Sequence, residues 1–451
     1  MKRKKKSLKR SLNITAISRV MKPNIIILIS DALRPKDLSL YGRKEEYDPC
    51  LKRFAAESTT FMNNFSVSNG SDPSVTSLFS GQYPTTSGFI HQHPFMKDEE
   101  IEKLKKNKFW LPLYLQKHGY QTMSATPLHM WFKKGFDKYS DKESLKTGKF
   151  LDIPIVKRLL LALPSWAYRL GKELVKIRAS PEFYPCHKVM DAAIANIKST
   201  RKPFFLFMHV IDTHYPYPIA PIKKIRGTRN MQSIVSGLDS QKQREYVKKR
   251  FYDLRAGNME QIEKKRDDSI SAVDLQIRRL HDFLKTNGLW NNTIVFILAD
   301  HGDNFGEHGA YFCRGGLYDP SIHVPLVAHI PGMKPGIVQG LTQTIDVPAT
   351  ILDVLKEKSY KIDGKSLVPA AKLGKNLRDS VFFADAFCEK RFGIRTGSRK
   401  FIVSDDGVCY LCGAKHCKNV KETYDVRNDA EETNIINAQQ KELEDKLQGF
   451  L

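Results

Sequence analysis

Four residues stand where a sequence could place metal-assisted chemistry: Asp31, Ser71, Asp300 and His301. Two carboxylates and an imidazole are a reasonable set for a divalent cation. A hydroxyl beside such a cation ionises more readily and becomes a nucleophile. Each residue also has a plainer reading. A strand-end Asp is often only a cap, and a Ser ahead of a helix is usually an N-cap. Asp300-His301-Gly302 is more specific, because an adjacent Asp and His can face one ion. The conjunction of the four is what points to a reaction centre.

The elements that must position them are apolar runs with polar ends. Ile25–Ile29 is continuous and mostly β-branched and ends in Ser30-Asp31. Phe204–Met208 ends in His209-Val-Ile-Asp212-Thr-His214, and Thr293–Leu298 ends in Ala299-Asp300-His301. Such runs read as strands buried on both faces of a parallel sheet. Their carboxyl ends are where open α/β sheets place ligands. Further strands are expected at Gln121–Ala125 and Val324–Ile330. Helices are expected at 47–61, from Pro73 to Gly81, and at Trp110–His118, Lys188–Lys198, Ser269–Leu284 and Ile345–Val354. The Lys/Arg-rich stretch 222–266 reads as a surface insertion. Beyond 370 come short strands, at Val381–Ala384, Phe392–Thr396 and Lys400–Val403. The predicted fold class is α/β, a mostly parallel central sheet flanked by helices with a small C-terminal α+β domain. The predicted boundaries are a basic arm over 1–20, a catalytic domain over 21–370 and the small domain over 371–451.

The ordered blocks resemble the sulfatase family of the alkaline phosphatase superfamily. Pro23-Asn-Ile-Ile-Ile-Leu-Ile-Ser-Asp31-Ala-Leu-Arg34 is similar to its opening, and Ser71-Asp-Pro73-Ser74 through Gly81-Gln-Tyr83-Pro84 to its nucleophile signature. Phe205 to Tyr217 is similar to its middle motif. Leu298-Ala-Asp300-His301-Gly302-Asp-Asn-Phe-Gly306-Glu-His-Gly309 and Leu317-Tyr318-Asp319 are similar to its second metal motif. Asp363-Gly-Lys-Ser-Leu367 and Tyr424 to Asn434 are similar to its C-terminal markers. The resemblance implies Asp31, Asp300 and His301 as metal ligands together with Ser71, which is also the nucleophile. It implies His214 and His129 as catalytic histidines, and Arg314 and His209 as substrate contacts. The implied cofactor is one divalent ion, Ca2+, Mn2+ or Zn2+, and the implied activity is hydrolysis of sulfuric esters.

Two positions depart from the family pattern. Many sulfatases have two successive aspartates where this chain has Asp31-Ala32. The usual Arg four places after the nucleophile is Val75. In sulfatases that Arg belongs to the signal for converting Cys or Ser to formylglycine, so formylglycine at residue 71 and an unmodified Ser71 both stay open. An unmodified Ser71 suits a phosphodiesterase, phosphonate hydrolase or phospho-group transferase, and a degenerate binding protein is the third reading.

Composition narrows the partners. The 451 residues carry 73 Lys+Arg against 49 Asp+Glu, a net charge of +24. With 41% hydrophobic and 10% aromatic residues the chain can bury a core, which excludes wholesale disorder. The basic excess is either generic or suits an anionic partner, a sulfated or phosphorylated substrate on a glycan or lipid. There is no helix-turn-helix, zinc-finger or RNP signature, so nucleic acid is not expected. The seven scattered cysteines suggest reduced thiols and a cytoplasmic location. Cys409-Tyr-Leu-Cys412 with His416-Cys417 has the donor types of a zinc site, but the second pair is adjacent, and incidental thiols are the plainer reading. No apolar run approaches the ~20 residues of a membrane span. The arm and the apolar, basic segment 151–178 could together give a peripheral contact with an anionic membrane.

Overall fold

The computed structural model describes residues 22–128, 130–140, 185–217, 223–374, 376–405, 407–417, 420–436 and 440–451. His129, the basic arm and the segment 151–178 lie outside the described residues.

The uninterrupted apolar runs form strands with no solvent-facing side. These are β1 (Asn24–Ser30), β5 (Phe204–Val210) and β6 (Thr293–Leu298), and every residue in them is buried. They belong to a larger sheet with β2 (Thr59–Phe65), β3 (Gln121–Ala125), β4 (Lys138–Ser140), β7 (Leu326–His329) and β8 (Gly336–Gln343). The order is β4-β3-β5-β1-β6-β7-β2-β8. β1 runs parallel to both β5 and β6, with Ile29 opposite His209 on one side and Leu298 on the other. The three polar strand ends therefore lie side by side on one edge.

Alternation along β1 divides the core. Ile25, Ile27 and Ile29 pack with Val75, Leu78 and Phe79 of the helix Ser71–Ser80 on one face. Ile26 and Leu28 pack with Ile270, Val273 and Ile277 of the 28-residue helix Met259–Thr286 on the other. Helices cover both faces, as a doubly wound sheet requires.

Three expectations need correction. The apolar stretch 47–61 is not one helix. It is a helix at Pro49–Ala55 followed by β2, where the β-branched pair Thr59-Thr60 favours the pleated conformation. The strand expected at Val324–Ile330 spans Leu326–His329 and runs antiparallel to both of its neighbours, β6 and β2. The basic stretch 222–266 is not merely a surface insertion. It carries the helices Met231–Ser236 and Gln241–Leu254 and the start of Met259–Thr286, which bury Val247, Phe251 and Ile262 against Tyr217, Phe305 and Phe312.

A second, antiparallel sheet has the order β12-β11-β10-β9. Its strands are β9 (Ser380–Ala384), β10 (Arg391–Thr396), β11 (Arg399–Ser404) and β12 (Lys421–Asp425). Phe383, Ile402 and Tyr424 share a core with Phe65, Leu317 and Tyr318. Buried Lys400 pairs with Glu432 and, at 2.6 Å, with Asp319, which also meets Arg395 at 3.0 Å. The backbone amide of Asp319 donates to Glu432 at 2.7 Å. The C-terminal marker thus anchors the segment that follows Arg314. Among the described residues, no helix is long and apolar enough to cross a membrane.

Candidate metal and nucleophile site

Asp31 leaves β1 where its amide donates to the Val210 carbonyl at 2.9 Å. Its own carbonyl accepts from the Thr213 hydroxyl at 2.6 Å. Asp300 and His301 leave β6 on the same sheet edge. The loop after them is held by Arg34, which donates to the Asp303 carbonyl at 2.8 Å, and by the side-chain amide of Asn304, which donates to the Cys313 carbonyl at 2.8 Å. Ser71 is the first residue of the helix Ser71–Ser80, and Gly70, not Ser71, occupies the N-cap. The Ser71 hydroxyl is therefore not the helix cap expected from sequence, and it stands at the positive end of a helix. Gly70 passes so near the second sheet that a Cβ there would lie 2.6 Å from the Ala386 Cβ.

These elements bring Asp31, Ser71, His209, Asp300, His301 and Arg314 together. His301 Nε2 lies 3.0 Å from Ser71 Oγ and 3.2 Å from Asp31 Oδ1. His301 Nδ1 lies 2.7 Å from the Gly302 carbonyl, which can only accept, so the proton belongs on Nδ1 and the Nε2 lone pair faces the group. His209 has no exposed surface, and its Nε2 lies 3.4 Å from Asp31 and 3.7 Å from Asp300. His209, expected among the substrate contacts, thus sits between the two carboxylates. Donor atoms of Asp31, His209 and Asp300 lie within 4.8 Å of one another. Asp31 Oδ1, His209 Nε2 and Asp300 Oδ2 are buried without a hydrogen-bond partner. Carboxylate oxygens and an imidazole nitrogen left without partners in a dry site are a group that a cation between them would satisfy. The donor set of two carboxylates and imidazole nitrogens fits one divalent ion.

Electrostatics follow from this crowding. Burial works against the Asp31 carboxylate, but His214, His209 and His301 around it hold its pKa well below the ordinary value. Burial holds His214 below its ordinary value despite Asp31, and Arg314 adds to the depression. His214 Nδ1 contacts the Tyr215 carbonyl at 2.5 Å, so its Nε2 is left as an acceptor when the ring is neutral. Arg314 is half-buried, with its guanidinium 2.7 Å from His301 Nε2 and 3.4 Å from Ser71 Oγ. A cation beside a hydroxyl and a cation-binding group forms a cradle for an oxyanion.

Both departures from the family pattern have a place in the structure. Val75 lies on the helix Ser71–Ser80 and is fully buried in the apolar core. Ala32 is buried at φ +60°, a left-handed conformation that Asp and Asn adopt more readily than Ala. Asn69 is a site residue that sequence reasoning missed. Its side-chain amide donates to the Arg314 carbonyl at 2.7 Å and to Asp385 at 2.9 Å, tying the nucleophile loop to the Arg314 loop. Its only signal was its place two residues before Ser71. His91 is buried and pairs with Glu100 at 2.7 Å.

Comparison with known proteins bears on the family and the fold. The Sulfatase family model matches residues 23–357, and the model described as N-sulphoglucosamine sulphohydrolase, C-terminal, matches 306–450. The chain is 24% identical to choline-sulfatase of Rhizobium meliloti, over 84% of this chain and 78% of that protein. It is 22% identical to N-acetylglucosamine-6-O-sulfatase of Bacteroides thetaiotaomicron, over 92% and 82%. The fold is also that of the phosphonate monoester hydrolase of Agrobacterium radiobacter, with a TM-score of 0.63 and 17% identity over 95% and 94%. The chain belongs to the sulfatase family, in the alkaline phosphatase superfamily, and is by that membership a hydrolase of sulfuric ester bonds.

Proposed function

We propose that the chain hydrolyses a sulfate ester at a single-cation site, with residue 71 as the nucleophile. The observation that carries this reading is the position of Ser71 Oγ, 3.0 Å from His301 Nε2 and 3.4 Å from Arg314, at the edge of a buried carboxylate–imidazole group. Asp31, Asp300, His301 and His209 would hold the ion, with Ser71 beside it. When bound, the ion supplies positive charge that ionises the attacking oxygen and neutralises the ester oxygens. The rest falls to side chains. Arg314 binds and orients the sulfate oxygens. His214, kept neutral by burial, offers its Nε2 as an acceptor for a proton released at the reacting centre. His209 acts on the carboxylates and not on the substrate. The identity of the ion is a choice among Ca2+, Mn2+ and Zn2+, and the imidazole content favours the latter two.

The sulfatase relatives act on choline sulfate or on a sulfated sugar, by their names, and a sulfated small molecule or glycan is the substrate class we favour. The chain's +24 charge supports an anionic substrate body. All seven cysteines are free of disulfides, which supports a reducing, cytoplasmic setting. Val75 favours a second reading, phosphoryl chemistry on an unmodified Ser71. The test pairs the intact mass of the peptide carrying residue 71 with kcat/KM on 4-nitrophenyl sulfate and a phosphonate monoester. The proposal expects higher kcat/KM on the sulfate. An unmodified Ser71 with preference for the phosphonate would replace it with the second reading.

A further inference from the structure

The second sheet carries a cluster that the reaction centre does not use. Cys409-Tyr-Leu-Cys412-Gly413 forms a tight turn after β11. The Cys409 amide donates to Ala414 at 2.9 Å, the Gly413 amide returns to Cys409 at 2.8 Å, and Gly413 holds φ +73°. His416 follows on the same hairpin. Its Nε2 lies 2.8 Å from Cys412 Sγ and 3.8 Å from Cys313 Sγ, a residue 103 positions earlier. Donor atoms of Cys313, Cys412 and His416 lie within 4.8 Å of one another. The Cys409 thiol interacts with both Cys412 and His416. All four residues are at most 3% exposed. The shell is apolar, with Ala310, Ala386, Phe387 and Ala414 among its members.

We propose that Cys313, Cys409, Cys412 and His416 bind a structural Zn2+. Cys313, Cys412 and His416 already stand together, and the neighbouring Cys409 thiol would complete a closed tetrahedral set of three sulfurs and one imidazole nitrogen, the donor chemistry that selects zinc. Tetrahedral coordination at ordinary Zn–S and Zn–N lengths sets ligand atoms about 3.6 to 3.8 Å apart. Cys313 and His416 already stand at 3.8 Å, and Cys412 needs an opening of under ~1 Å. The cysteine next to His416 is not part of the set: Cys417 lies 3.7 Å from Arg391 and is only partly buried. The sequence pattern pointed to that neighbour, and the fold supplies Cys313 in its place. Glycine makes this possible, because a Cβ on Gly315 would lie 2.2 Å from His416 Nε2. The ion would fasten the loop carrying Arg314 to the second sheet, and Arg314 is the residue that meets Ser71. Zinc here is a clamp on the anion-binding arm and takes no part in turnover.

The test uses full-length protein purified under anaerobic, reducing conditions. Zinc content is measured, and Co2+ is exchanged in to read sulfur-to-metal charge transfer, which the oxygen and nitrogen donors of the reaction centre cannot give. The proposal expects about one equivalent of tightly held zinc and strong charge transfer. That signal should survive Asp300→Asn and Cys417→Ser and be lost in Cys313→Ser and Cys412→Ser. Since a serine variant could fail to fold, His416→Cys serves as the second probe. It should retain zinc and shift the charge-transfer band. Folded, reduced protein that shows no sulfur-to-Co2+ charge transfer would overturn the proposal. So would a Cys409–Cys412 disulfide in the anaerobic preparation, or a signal that depends on Cys417 and not on Cys313.

Discussion

Replacing Asp300 by Asn should stabilise the metal-free protein and destabilise the metal-bound one. Asn keeps the shape. Its Oδ1 can still accept from the His301 amide, which donates to Asp300 Oδ1 at 3.1 Å. Its amide nitrogen then replaces Oδ2, the atom that has no protein partner and faces Asp31 and His209. Donor atoms of Asp31 and Asp300 lie within 4.8 Å, where two unit charges at an effective dielectric of ~20 repel by about 3.5 kcal/mol. Protonated His209, whose pKa is raised against burial by Asp31 and Asp300, would offset part of this, so the variant should gain ~1–3 kcal/mol without metal. The same missing charge should weaken cation binding by at least the ~10–100-fold that loss of an outer-shell partner costs. Urea unfolding with chelator and with saturating cation reads both effects, and a chromophoric competitor gives the affinity. The signature is a reversal of order: variant above wild type with chelator, below it with the cation. The same order in both conditions would refute the assignment of Asp300 to the cation.

Arg314→Met keeps the side-chain stem but removes the charge beside Ser71, and should raise KM for a sulfate ester about 10–100-fold with a smaller effect on kcat, in steady-state kinetics. Lys400→Met leaves buried Glu432 without its cation, while Asp319 keeps Arg395, and should cost ~3–5 kcal/mol, read by urea unfolding. Burial raises the Glu307 carboxyl, but Arg34 and Lys36 pull harder and hold its pKa down at about 2, against 4.5 ordinarily. A depressed carboxylate stabilises the fold above its unfolded pKa and loses that contribution as pH falls through the folded one. The stability difference between wild type and Glu307→Gln should therefore be full at pH 6 and shrink between about pH 4.5 and pH 2.

The candidate site was legible as a cluster because strand ends carry it. Asp31, His209, Asp300 and His301 each follow or end an apolar run, and a parallel sheet sets such ends side by side without long-range information. What stayed hidden was set by contacts between distant segments. β7 looks in sequence like the parallel strands, and its reversed direction is decided by its pairing with β6 and β2. β4 has three residues and β8 is half exposed, so neither shows a buried run. The helices over 231–254 hide their apolar stripe among lysines and arginines, whose long stems tolerate a partly buried surface. The family resemblance placed Ser71 and Arg314, which no periodicity could have joined across 243 positions. Asn69 and Cys313 take their meaning only from what the fold sets against them.

Nucleophilic attack by residue 71 on a sulfate ester is the step on which the proposed function stands. Its most direct test is turnover of 4-nitrophenyl sulfate by wild type and Ser71→Ala, each folded and loaded with the same divalent cation. The expected result is clear wild-type activity and a loss of at least ~100-fold in kcat in the variant, because among the described residues Ser71 supplies the hydroxyl that contacts both His301 and Arg314. Equal turnover by the two proteins would contradict it and leave the site as one that binds anions without transforming them.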